Sequence, residues 1–213
     1  METNQAAEHL QVIRTLMERS ALYRRALAPI MTFAGVTGTL AALAGGGLKI
    51  DSPRAFIGFW TGVATVALAG SFFLVRRQAL KDSEPLWSPP TRRVSQAFVP
   101  PLVAGVFLGA VILFLAGSED TPTARVLSML WLPLAWVVLY GCALCAAGLF
   151  TPHGVRLFGW AFIIGGCGLF AVGIPDRVDR LYYAHGIMGF FFGLMQVAYG
   201  IYLYFTEPRG NAP

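Results

Sequence analysis

Six stretches of this chain each run for about 20 residues without one Asp, Glu, Lys or Arg. They are Ala26–Leu48, Ala55–Val75, Ala97–Gly117, Val126–Phe150, Leu157–Ile174 and Ala184–Phe205. Each is long enough to cross a hydrocarbon layer of about 30 Å as a helix. None shows the alternating polarity of a barrel strand. Backbone groups in lipid must find partners within their own segment, so the spans are read as helices. Charged residues make up only 13% of the 213-residue chain, against 56% apolar ones. A water-facing surface cannot be built from so few charges. The expected fold class is all-α: a polytopic transmembrane bundle of six helices over residues 26–205, with an N-terminal amphipathic helix in residues 1–25 and a tail at 206–213.

Charge placement sets the expected orientation. With the N-terminus inside, the inner segments hold eleven Lys and Arg and the outer loops hold five. The positive-inside rule then places both termini in the cytoplasm of a bacterial inner membrane. The net charge of +5 sits in short clusters such as Arg76, Arg77, Arg92 and Arg93. It forms no basic stripe with interleaved aromatics, so nucleic acid is not an expected partner. The first apolar run follows 25 polar residues and is too long for a signal-peptide core, so it should remain as a span.

Repetition leaves two readings open. Gly45, Gly117 and Gly173 close the odd spans, and Gly70, Gly141 and Gly200 recur in the even ones. Three related hairpins would produce this pattern, as in repeat-built transporters. Gly-, Ala- and Leu-rich segments also match one another by chance.

Several features suggest surfaces. Residues 5–25 put Ala6, Leu10, Ile13 and Met17 on one helical face, with Arg14 among the polar residues elsewhere on the wheel. Such a helix can lie on the membrane or dock a partner. The inner loop 76–96 combines Arg76, Arg77, Arg92 and Arg93 with Trp87, and its prolines at 85, 89 and 90 interrupt any continuous helix. Gly58 and Gly62, Gly105 and Gly109, and Gly189 and Gly193 form three Gly-x-x-x-Gly faces for close helix packing, within the chain or between copies. Pro100 and Pro101 are expected near the start of the third span, and Pro133 is expected to kink the fourth.

Chemistry is sparse. Cys142 and Cys145 stand one turn apart within a span, where burial in lipid suppresses the thiolate. The three histidines, His9, His153 and His185, fall at different membrane depths, which excludes a bis-histidine haem. No nucleotide, protease or hydrolase motif occurs. No catalytic residue, metal ligand or cofactor is therefore expected. His185 is read as a polar residue at the outer end of the sixth span, with Asp179 and Tyr182 as neighbours; these three are the weak candidates for a ligand site.

The opening QVIRTLMERSALYRR, with Ile13, Arg14, Met17, Glu18, Arg19 and Ser20, resembles a family of uncharacterised bacterial six-span integral membrane proteins. FTPHGVRLFGWAFIIGG and AHGIMGFFFGLMQVAYGIY are similar to it too. The resemblance implies the six-span architecture and carries no function. The residues alone favour a non-enzymatic accessory subunit that presents residues 1–25 and 76–96 to a cytoplasmic or membrane partner. The alternatives are a small permease for a neutral or lipophilic molecule and a membrane subunit of a quinone-linked redox complex. Lipid is the expected surrounding, and self-association is open.

Overall fold

The structure is a computed structural model that describes residues 27–81, 89–115, 121–151, 153–173 and 180–206. Six helices are long and apolar enough to cross a membrane: α1 (Leu27–Gly47), α2 (Pro53–Lys81), α3 (Thr91–Phe114), α4 (Pro122–Ala147), α5 (His153–Val172) and α6 (Tyr182–Thr206). Large apolar side chains point outward along them, with Phe114 at 86% and Val172 at 79% of full exposure. Water would not tolerate that surface, and hydrocarbon does. The chain is a multi-pass, all-α integral membrane protein.

The helix starts follow local chemistry. Ser52 and Thr121 accept hydrogen bonds from the Ala55 and Ala124 amides at 3.3 and 3.1 Å, and each is followed by proline. Proline at the first helical position loses only an N–H that would have had no partner. At the other end of the first loop, α1 closes with Lys49 in the left-handed region at φ 52°. The Lys49 and Ile50 amides bond back to the Gly46 and Gly45 carbonyls at 3.3 and 3.1 Å. This Schellman closure turns the chain sharply and fixes the direction of the Ile50 carbonyl.

Threonine hydroxyls within the spans bond the carbonyl four residues earlier, as Thr32 does to Ala28 and Thr39 to Gly35, both at 2.9 Å. Each hydroxyl is thereby satisfied without water.

The helix bearing α3 begins at Pro89, so Pro100 and Pro101 lie well inside it rather than near its start. Pro89 and Pro90 occupy the first turn, where they cost little. Arg92 and Arg93 consequently sit on helix, as do Arg76 and Arg77 at the end of α2, and all four are exposed. Pro133 follows a π turn at Leu127–Trp131, where the Leu132 amide bonds the Leu127 carbonyl five residues back. The wider turn accommodates the proline ring and its missing donor. A second π turn, Phe190–Met195, interrupts α6.

The helix α4 is the central one, with half of its most apolar window buried, while only 11% of the α2 window is. Two apolar clusters flank it. One joins Leu134, Val137, Phe158, Phe162 and Phe191; the other joins Phe56, Trp60, Leu132, Met129 and Met188. Glycines set the closest approaches. An added Cβ at Gly141 would lie 2.8 Å from the Gly159 carbonyl oxygen, and one at Gly159 equally close to that of Gly141. The repeated glycines of the even spans are all close-packed but against different neighbours: Gly70 on Phe33 of α1, Gly141 on α5 and Gly200 on Thr32 of α1.

Candidate functional site

Two of the three Gly-x-x-x-Gly faces are used inside the chain. Gly105 and Gly109 receive the Trp136 indole, whose N–H donates to the Gly105 carbonyl at 2.8 Å. Gly189 and Gly193 pack on Ala42 and Thr39 of α1. Gly58 and Gly62 are exposed, and an added Cβ there would meet nothing within 4 Å.

His185 stands in the first turns of α6, but it does not face water. It is 2% exposed and sits inside the fold. The Trp60 indole N–H donates to its Nδ1 at 3.2 Å, and its Nε2 lies 3.2 Å from the Ile50 carbonyl oxygen. A carbonyl only accepts, so Nε2 carries the proton and Nδ1 is the acceptor. The ring packs edge-on against Phe56 at 5.1 Å and Phe59 at 6.1 Å. It lies directly over Gly45, where any side chain would collide with it. His185 thus ties α6 to α2 and to the turn after α1. Tyr182, the neighbour expected for it, is exposed instead, and Asp179 lies outside the described residues. Leu10, Ile13, Arg14, Met17 and Trp87 also lie outside them.

A second polar contact crosses the bundle deeper in the membrane. The Gln196 side chain of α6 lies beside the Tyr140 phenol of α4. Tyr140 is boxed by Phe98, Phe162 and Phe192 at ring separations of 5.8, 5.2 and 5.2 Å. The other end of the amide, Gln196 Oε1, is buried with no hydrogen-bond partner among the described residues. The cysteines divide. Cys145 meets the start of α5, 3.6 Å from the Arg156 carbonyl oxygen, while Cys142 faces outward. Among the described residues no group of three His, Cys, Asp or Glu could hold a metal ion.

A groove of about 610 Å³ between α5 and α6 has room for a ligand. Its origin is a change of residue size along the two helices. Phe158 stacks on Tyr199 at 4.3 Å, and Phe162 meets Phe191 at 5.3 Å, so bulky rings hold the helices apart at one end. Gly165 accommodates the Phe191 ring, which would press on any added Cβ there. Further along, Gly168 and Gly186 face each other's side of the gap with nothing within 4 Å of an added Cβ. Tyr182 and Tyr183 line the same groove at the start of α6. Among the described residues no charged one does. His185 contributes nothing to these walls, because its turn of the helix directs it to α1 and α2. Sequence reasoning named Tyr182 but not the groove; Gly165, Gly168 and Gly186 were its signal. No protein-family profile, curated protein or solved structure matches the chain.

Proposed function

We propose that this protein binds an uncharged lipophilic molecule taken sideways from the bilayer into the groove between α5 and α6. The observation that carries the reading is the groove itself, at about 610 Å³. Its volume is that of an ordinary small-molecule site. Both walls belong to membrane-spanning segments. Its mouth therefore opens on hydrocarbon, and an apolar void facing hydrocarbon is filled by an apolar chain, since an empty one forfeits its contacts. The positive-inside rule assigns the Tyr182 end to the outer leaflet of a bacterial inner membrane, with both termini cytoplasmic.

Filling the groove tests this reading. Gly168→Leu and Gly186→Leu place bulk where nothing stands, so both variants are expected to fold with unchanged thermal midpoints. Each is expected to lose the lipophilic molecules that co-purify with the wild-type protein in native mass spectrometry. Equal lipid retention in the filled variants would overturn the proposal.

A second reading keeps the accessory role and draws on α2. Only 11% of its apolar window is buried, and Gly58 and Gly62 leave its outer face open to the backbone of another helix. Gly58→Leu with Gly62→Leu is then expected to shift the native membrane complex to smaller size on blue-native gels, at unchanged monomer stability. An unchanged complex size would remove this reading.

A further inference from the structure

We infer that the groove selects amphipaths with an uncharged hydrogen-bonding head held by Tyr182 and Tyr183 and a single apolar chain running toward Phe191. This rests on the groove being a ligand site, as proposed above. Among the described residues that line it, the two tyrosines are the hydrogen-bonding side chains. They stand together at one end, and Phe190 and Phe191 stand at the other. Eight residues of helix separate Tyr183 from Phe191, so the slot is about 12 Å long.

The wall chemistry limits the head group. A phenol can donate to a carbonyl or hydroxyl oxygen and accept from a hydroxyl. By itself it offers an anionic head no countercharge, and among the described residues no Lys or Arg lines the groove. The cross-section sets the chain. Phe191 is 3% exposed and seated on Gly165, so it closes the slot at its deep end. The space between Gly168 and Gly186 is bounded by one helix on each side, which suits one chain lying parallel to them.

The test uses the full-length protein, stripped of lipid in detergent and titrated in native mass spectrometry with three probes. A monoacylglycerol and a short-chain alkyl benzoquinone share the uncharged oxygen-bearing head but represent a membrane lipid and a redox carrier. Phosphatidylglycerol supplies an anionic, two-chain competitor. At least one neutral probe is expected to bind more tightly than phosphatidylglycerol, and which one binds identifies the source. Tyr182→Phe and Tyr183→Phe, which keep the rings, are each expected to weaken that probe about fivefold, the effect of one hydrogen bond. Gly168→Leu is expected to abolish its binding. Two results would overturn the head-group assignment while leaving the groove a ligand site: full affinity in both phenylalanine variants, or preference for phosphatidylglycerol with loss in Gly168→Leu. If Gly168→Leu leaves binding of every probe unchanged, the groove reading and the head-group assignment both fall.

Discussion

Replacing His185 with alanine is expected to destabilise the folded protein by about 3 kcal/mol, read as a shift in unfolding midpoint in a denaturant titration in micelles. The change leaves the buried Trp60 indole N–H without its acceptor and the Ile50 carbonyl without its donor. Orphaning a buried polar group costs about 1–3 kcal/mol. It also removes a ring packed among Phe56, Phe59 and Trp60. Trp60→Phe is expected to cost less, about 1 kcal/mol, because it removes one donor and keeps most of the ring. The double variant His185→Ala with Trp60→Phe should cost less than the two single changes together, since the shared hydrogen bond is lost only once. Simple additivity would show that the two side chains do not interact. Nitrogen spectra of histidine-labelled protein should show a protonated Nε2 and a bare Nδ1 for His185, assigned by comparison with the variant.

The second large effect is expected at the crossing of α4 and α5. Gly141→Ile should abolish folding or destabilise by more than about 3 kcal/mol. An added Cβ there already lies 2.8 Å from a carbonyl oxygen and 2.9 Å from the Phe162 Cβ. Backbone cannot withdraw as a flexible side chain can, so the helices must separate. Without a hydrophobic drive between spans, that close contact is the main source of their attraction. Gly62→Ile is the matched control: the same residue type in a Gly-x-x-x-Gly face, with open space around it, and near-zero expected effect on the monomer. Comparable losses at Gly141 and Gly62 would overturn this account of the packing.

The contrast marks where sequence pattern stops being informative. Gly58 and Gly62 carry the motif and meet no other described residue, whereas Gly141 and Gly159 carry no motif and bring two helix backbones together. A small residue permits close approach, but the neighbour that arrives is decided by how six helices rotate about their axes. The prolines tell the same story. Pro133 was legible as a perturbation of its span, yet its outcome is a π turn rather than a bare kink. Pro100 and Pro101 looked like a helix start because the span was read from Ala97, past the polar Ser95 and Gln96. The helix itself continues outward through Arg92 and Arg93, which hydropathy cannot see.

What the residues determined by themselves was the solvent and the architecture. Six uncharged runs leave no way to satisfy backbone groups except as helices in hydrocarbon, and that constraint is local to each segment. What only the tertiary structure decided was the fate of individual polar and small residues. His185 was read as a polar residue at the outer end of its span, and charge and hydropathy, averaged around the helix, say nothing of the side it faces. Its actual role depends on which side of α6 it faces, on a left-handed Lys49 that aims the Ile50 carbonyl at it, and on Gly45 leaving room for its ring. The groove is likewise a property of two helices at once. Gly168 on α5 and Gly186 on α6 create space only because Phe158, Phe162 and their partners hold those helices apart one turn after another toward the other end.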